Sequence, residues 1–513
     1  MRPLINTLCR LAAFSLLIGC AALPPQDGRI ASRALAGTDA TLIGKAVAPL
    51  AAAHPGLSGV HLLADGRDAF AARMMMADKA ERSLDVQYYI WRSDSTGTLL
   101  FDALRAAGAR GVRVRLLLDD NNTAGLDAAL ALLAAQPNVE VRLFNPYASR
   151  SARLLGMLQD FQRLNRRMHN KSFTVDAQAT IVGGRNIGDE YFDAAGDVLF
   201  TDLDILAVGP VVAAVEQDFD RYWNSDSAYP VQSLVAAPDA DSAAEVRRQG
   251  RLQAGAPATQ AYLADVRASR FVAALTGQTL PLEWAKVALV SDDPAKALDR
   301  AAPASGLVQR LPALLGQPLR QLDLVSPYFV PNQAWSGRFA ALPGSGVQVR
   351  ILTNALEATD VLAVHAGYAK SRQTLLRGGV RLFELKRNWR RPGVARHTGI
   401  SGSSMSSLHT KAFEVDLERV FVGSFNLDPR SAELNTEMGF VIDSPALAHS
   451  MAAVMGATMI ERAYEVRLTP DGALYWIEPG PDGEVRHDVE PGASLWQRGM
   501  VKFMSLLPID WLL

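Results

Sequence analysis

Two histidines stand in nearly the same sequence context 240 residues apart: His169 in HNKSFTVD (169–176) and His409 in HTKAFEVD (409–416). Each is followed two residues on by a lysine, Lys171 or Lys411, and seven residues on by an aspartate, Asp176 or Asp416. Seventeen residues past each histidine an asparagine closes a glycine-led run. The first copy has Asn186 in GGRN, with Gly184 at its second position; the second has Asn426 in GSFN, with Ser424 there. An acid follows in a matching apolar stretch, Asp202 in TDLDILAV and Glu437 in TEMGFVI, after five extra residues in the first copy. A lone histidine of this kind is ordinarily a satisfied core or strand-end residue. Two with the same tails, in a chain of eight histidines, mark a repeated site.

Breaking a phosphodiester calls for an in-line nucleophile, a proton donor for the leaving oxygen, and positive charge on the non-bridging oxygens. Histidine serves as either of the first two because its ordinary pKa lies near neutrality. One imidazole per copy, set on each side of a phosphorus atom, would supply both. Lys171 and Lys411 would carry the charge, with Asn186, Asn426, Gly184 and Ser424 as further phosphate contacts. Asp202 and Glu437 suit a carboxylate that fixes an imidazole's tautomer and orientation. Strand alternation places His169, Lys171 and Phe173 on one face and leaves Asp176 at odd spacing. Asp176 and Asp416 therefore enter the candidate catalytic set as motif members better suited to a turn or a supporting position than to direct attack. A metal site fits poorly, since each histidine is paired with a lysine and no second histidine or cysteine lies at ligand spacing. No cofactor is expected.

The elements that must position these residues are also written twice. SLDVQYYIW (83–91) reads as a strand, 98–111 as an Ala/Leu-rich helix ending in glycine, and VRVRLLLDD (112–120) and VEVRLF (139–144) as further strands. QLDLVSPYFV (321–330), GVQVRILTN (346–354) and GVRLFEL (379–385) repeat that order. In this reading Asp323 corresponds to Asp85, and Tyr328-Phe329 to Tyr88-Tyr89. GVHLLADGRDAF (59–70) and KVALVSDDPAKA (286–297) open the two copies. Strand–helix–strand order predicts an α/β protein with a mixed or parallel sheet covered by helices. The expected halves are 56–225 and 285–470, with a helical linker over 226–284 and a C-terminal segment over 471–513.

Net charge is −1, so no global positive field points to nucleic acid, and none is expected as a partner. The two cysteines, Cys9 and Cys20, both fall in the first twenty residues, which leaves no disulfide framework for the folded body. Arg2 and Arg10 flank LAAFSLLI (11–18), an apolar run too short to span a bilayer, and Leu-Ile-Gly-Cys (17–20) resembles a bacterial lipoprotein signal. The expectation is a signal peptide over 1–19, lipidation at Cys20 and a tether over 20–55. That places the protein in the bacterial cell envelope, anchored to a membrane, with inner and outer membranes both open.

The doubled His-x-Lys-x4-Asp with its Gly-Gly/Ser-x-Asn tail resembles the phospholipase D superfamily over nearly the whole mature chain. Within it, HNKSFTVD…VGGRNIGDEYF and SLHTKAFEVD…VGSFNLDPRSAELNTEMG are most similar to bacterial cardiolipin synthases of the C group. The resemblance implies α/β/α sandwich halves packed about a pseudo-twofold axis with one shared active site. It also implies a metal-free two-step transfer through a phosphatidyl-histidine, with His169 as nucleophile and His409 as general acid and then base. The symmetry leaves the reverse assignment open, and Gly184 opposite Ser424 makes the two phosphate cradles unequal. Phosphatidylglycerol is the implied acceptor, and phosphatidylglycerol or phosphatidylethanolamine the donor.

Membrane contact has further candidates in the apolar C-terminus GMVKFMSLLPIDWLL (499–513), with Phe503 and Trp511, which equally suits a helix docked on the core. Two basic runs, RLNRRMHNK (163–171) after Phe161 and RNWRRPGVARH (387–397), suit anionic headgroups or a solvated surface. The rival functions are a lipid-hydrolysing phosphodiesterase, a nuclease and a non-catalytic lipid-binding scaffold. Sequence is silent on a helper protein.

Overall fold

The computed structural model describes residues 22–26, 29–194, 198–387, 405–480 and 483–507. Cys20 and the leader, all but the first residue of 387–397, and Trp511 lie outside the described residues. The first half contributes β1 (Ser58–Leu63), β2 (Ser83–Ile90), β3 (Arg113–Asn122), β4 (Val139–Phe144), β5 (Ser172–Val175), β6 (Ala179–Gly183), β7 (Val198–Thr201), β8 (Asp204–Val208) and β9 (Ala228–Pro230). The second contributes β10 (Glu283–Ser291), β11 (Gln321–Val325), β12 (Gln348–Asn354), β13 (Arg381–Leu385), β14 (Met405–Leu408), β15 (Ala412–Val415), β16 (Arg419–Gly423), β17 (Met438–Asp443), β18 (Ala463–Leu468), β19 (Leu474–Gly480) and β20 (Gly483–His487).

Pairing makes the duplication explicit. The first half runs β9–β4–β3–β2–β5–β6–β8–β1, with β2, β3 and β4 parallel and the other pairs antiparallel. The second runs β10–β17–β16–β15–β11–β12–β13–β18, with β11, β12 and β13 parallel. β1 and β10 pair antiparallel and join the halves into one 18-stranded sheet. The parallel strands are linked by helices such as Ser95–Ala109, whose start is capped by the Asp94 carboxylate accepting from the Gly97 N–H. β2 and β3 are buried along most of their length, the pattern of strands covered on both faces.

One buried ion pair is repeated across equivalent parallel strands. Arg115 on β3 donates to Asp85 at 2.6 and 2.7 Å, and Arg350 on β12 donates to Asp323, its Nε at 2.7 Å. The aromatic residues fall in a different register from the one read in the sequence. Trp91 bridges Ile187 and Phe329 bridges Leu427, each directly after a motif asparagine, so Phe329 corresponds to Trp91 and Tyr328 to Ile90. Both aromatic residues lie six positions beyond the shared aspartate. Aromatic likeness had suggested an insertion that the backbone does not contain.

Each half has its own apolar core, and a third cluster knits them together. Val60, Val182 and Ile205 from the first half pack with Met438, Phe440 and Ile442 from the second. The segment between the halves carries helices Ala240–Gly255, Pro257–Arg267 and Arg270–Thr276, which send Tyr262, Val266 and Phe271 into the first core. Near the C-terminus, helix Leu495–Ser505 starts with a capping box from Ser494 and Gln497. It docks Val501 and Met504 against helix Leu362–Ala369, while Trp496 and Phe503 stay exposed. The docked expectation for this segment is met by one face of the helix, and the other face is exposed.

Candidate active site

The two histidines meet because each motif strand is extended onto the opposite half. β7 of the first half pairs in parallel with β14 of the second, and Met168 forms the equivalent single bridge to Thr436. The His409 N–H donates to the Thr201 carbonyl and the His169 N–H to the Thr436 carbonyl, both at 2.8 Å. The next residue in each case is the acid. Glu437 therefore arrives beside His169, and Asp202 beside His409.

These crossed contacts set the imidazoles. His169 Nδ1 donates to Glu437 Oε2 at 2.8 Å, and His409 Nδ1 donates to Asp202 Oδ2 at 2.5 Å. With Nδ1 committed to a carboxylate, Nε2 is the nitrogen available for chemistry on each ring. Both histidines line one cleft of about 680 Å³ together with Asn186 and Asn426. Lys171 and Lys411 are buried just behind, their Nζ atoms 2.6 and 2.5 Å from the carbonyls of His169 and His409.

Burial dominates the electrostatics. It holds His169 well below the usual imidazole range, with the Lys171 and Lys411 charges acting in the same direction. His409 is also lowered by burial and by Lys411, but the Asp202 carboxylate pulls it back. Lys171 is pushed down to about 7 and Lys411 to about 8, again by burial, so a bound anion would favour their charged forms. Glu437 is pushed up to about 7 by burial, whereas Asp202 is held below the ordinary range, where His409 and Lys411 outweigh the cost of burying it.

The Gly184/Ser424 difference acts on the acids. Ser424 Oγ donates to Glu437 Oε2 at 2.5 Å, accepts from the Met438 N–H at 3.0 Å and is fully buried. At Gly184 a Cβ would lie 2.1 Å from Asp202 Oδ1, which instead accepts from the Leu203 N–H at 2.8 Å. Both positions therefore shape the carboxylates behind the histidines, where the sequence had suggested phosphate contacts.

Asp176 and Asp416 are not at the cleft. Asp176 follows β5 in a tight turn, Asp176 and Ala177 having φ of 50° and 51°, and its carboxylate accepts from the Glu81, Arg82 and Ser83 N–H groups. Asp416 accepts from the Leu319, Arg320 and Gln321 N–H groups in the same way. Seven extended residues put each aspartate roughly 20 Å from its histidine. Both are better described as clamps that hold the start of β2 or β11.

Further cleft residues went unread in the sequence. Tyr89 meets His169 edge-on at 4.9 Å, and Tyr191 and Phe200 flank His409 at 5.3 and 5.2 Å. Asp428, Arg430 and Asn435 line the same cleft. Asp428 and Arg430 stand two and four residues past Asn426, so extending each motif through its asparagine would have reached them. Tyr89 and Phe200 had no such signal.

The family described as cardiolipin synthase, phospholipase D-like domain, matches residues 74–223 and 311–459, one copy in each half. The chain belongs to that family. Cardiolipin synthase C of Escherichia coli is 49% identical over 471 residues, 92% of this chain and 99% of the relative. Cardiolipin synthase A of Pseudomonas aeruginosa is 26% identical over 415 residues, 80% of this chain and 68% of the relative. The fold is shared with phosphatidylserine synthase of Haemophilus influenzae, at a TM-score of 0.55 and 14% identity over 92% of this chain and all of the other. This cardiolipin synthase-family chain thus carries two family domains that meet at one crossed histidine site.

Proposed function

We propose that this protein is a membrane-associated phosphatidyl transferase that makes cardiolipin from phosphatidylglycerol and a second phospholipid. The observation that carries this reading is the pair of histidines, each oriented by a carboxylate of the other half, across one cleft. In the first step Nε2 of His169, kept neutral by burial, attacks the phosphorus of the donor lipid. His409 protonates the departing headgroup oxygen, and Asp202 stabilises the imidazolium form it must adopt. Lys171, Lys411, Asn186 and Asn426 hold the non-bridging oxygens as charge builds on them. In the second step His409 takes the proton from a hydroxyl of phosphatidylglycerol. That oxygen then displaces His169 from phosphorus, and the free enzyme is restored.

Lipidation at Cys20 would tether the body beside the bilayer in the bacterial envelope, and the exposed Trp496 and Phe503 of the C-terminal helix suit a second, interfacial contact. The test is to incubate the purified protein with labelled phosphatidylglycerol in vesicles, with and without phosphatidylethanolamine, in excess chelator, and to separate the lipids. Cardiolipin that appears and is lost in His169→Ala and His409→Ala is the expected result. Phosphatidic acid alone would make the protein a hydrolase and overturn the transferase reading.

A further inference from the structure

We propose that the helix Arg153–Gln159 is a wedge at the rim of the cleft that seats Leu154, Leu155 and Leu158 among the acyl chains of a phospholipid bilayer. This deepens the lipid-transferase reading and rests on it. The helix, RLLGMLQ, buries none of its residues, and Leu154 and Leu158 are 78% and 74% exposed. Single exposed leucines are ordinary on a protein surface, but three in one seven-residue helix form a patch that calls for a partner.

The position of the patch selects that partner. Upstream, Arg153 donates to the Asp120 carbonyl at 2.8 Å and the Tyr147 hydroxyl donates to Asn121 at 2.8 Å, beside Asn122 on the cleft wall. Downstream, Arg430, itself on the cleft wall, donates to the side chain and the carbonyl of Asn165 at 2.9 and 2.8 Å. The segment between is thus fastened downstream to a residue that lines the cleft, and upstream to the two residues that precede one. A reaction on diacyl lipids has to reach its substrates in a bilayer, so an apolar rim held rigidly beside the cleft fits that surface. A seven-residue helix is far too short to cross a bilayer, so the contact proposed for it is interfacial.

Charge plays little part in this docking. Arg150 pairs with Asp120 and Asp127, Arg153 with Asp120, Arg163 with Asp160, and Arg166 with Asp299. The basic residues around the wedge, including two from the run read in the sequence as headgroup-attracting, hold the rim to the protein. Docking through the leucines should therefore persist at high salt, where a surface held by exposed charge would be released.

The test uses the full chain with Cys9→Ser and Cys20→Ser, so that no acyl anchor substitutes for docking, and Leu158→Cys carrying an environment-sensitive dye. Vesicles of phosphatidylglycerol and phosphatidylethanolamine should shift the dye to the blue, brighten it several-fold and expose it to quenching by nitroxide-labelled acyl chains, in low and high salt alike. The same dye on Leu252→Cys, in the helix Ala240–Gly255, should not respond. No response at position 158 overturns the proposal. So does a shift that follows protein concentration without lipid, since that identifies a second copy as the occupant.

In the otherwise unmodified chain, Leu154→Ser with Leu158→Ser should lower cardiolipin formation from vesicles at least tenfold. Turnover of short-chain phosphatidylglycerol dissolved as monomers should be unchanged. Equal loss on both substrates would mean that the helix serves the cleft's own structure, which also overturns the proposal. If the dye enters the bilayer but neither lipid is turned over, the docking stands and the transferase reading falls.

Discussion

The two histidine stations share a backbone and differ in their surroundings. At His169 the orienting acid is Glu437, braced by the Ser424 hydroxyl; at His409 it is Asp202, braced by a backbone N–H with Gly184 leaving it room. Thr201 and Thr436 occupy equivalent places, so Phe200 beside His409 corresponds to Asn435 in the same cleft, and Tyr191 and Ser431, each five residues past a motif asparagine, also correspond. Duplication kept the crossed strands that bring the two rings together and let the residues around them diverge. A reaction that asks one imidazole to attack and the other to donate a proton needs that divergence. Identical stations would have identical proton affinities.

The largest expected effect comes from removing one ring at a time. His169→Ala and His409→Ala should each lower cardiolipin formation by about 10³-fold or more, because both steps use both rings. Reactions with labelled donor lipid, quenched with denaturant at mildly alkaline pH because a phosphorus–nitrogen bond to imidazole is labile in acid, should leave label on His409→Ala and none on His169→Ala. The opposite pattern would exchange the two roles.

The acids come next. Glu437→Gln and Asp202→Asn should each lower turnover by roughly 10²–10⁴-fold, since each ring would lose the carboxylate that selects its tautomer. The pH profiles should then separate them. Asp202 favours the charged form of His409, so its loss lowers that pKa further and moves the alkaline limb of activity to lower pH. Glu437→Gln should leave that limb in place.

Exchanging the residues that brace the acids sharpens the contrast at smaller cost. Gly184→Ser puts a Cβ into the space of the Asp202 carboxylate and should lower stability by about 1–3 kcal/mol and turnover by roughly tenfold or more. Ser424→Gly creates no clash and removes only the hydroxyl that donates to Glu437. A loss of turnover of about tenfold or less, with stability lowered by about 1 kcal/mol, is expected. Parallel rate and urea-midpoint measurements distinguish the two. Equal behaviour would mean that the acids do not depend on their different braces.

Much of this arrangement was legible because it is local or repeated. The duplicated halves, the paired acids and the strand order all follow from short patterns that appear twice, and Asp85 and Asp323 keep the same salt-bridge partner in each copy. The crossing was not legible. Nothing in TDLDILAV says that its aspartate serves a histidine in the other half, because that contact depends on β7 and β14 pairing over some 200 residues of separation. Tyr89 and Phe200 were missed for the same reason, since their roles come from tertiary placement alone. The Tyr328 register failed for a different reason: residue likeness was weighed above spacing from Asp323, although backbone pairing enforces spacing.

The smallest expected effect on chemistry belongs to the residues that complete the sequence motif. Asp176→Ala and Asp416→Ala each remove a carboxylate that collects three backbone N–H groups at the start of a central strand. Groups left without a partner cost about 1–3 kcal/mol in total where they are buried, and less where water reaches them. The more enclosed Asp176 should therefore be the more sensitive of the two, since Asp416 keeps 8% of its surface exposed against none for Asp176. Thermal unfolding should show both variants destabilised, Asp176→Ala more so, while turnover per folded molecule stays within about twofold of the parent protein. A loss of turnover in either variant approaching that of His169→Ala, at temperatures where the protein is still folded, would return the aspartates to the chemistry. It would mean that the β5 and β15 hairpins transmit strain to histidines at their far ends. Loss of stability alone would leave both halves built alike, with the motif's repeated aspartate serving the sheet and the crossed acid serving the reaction.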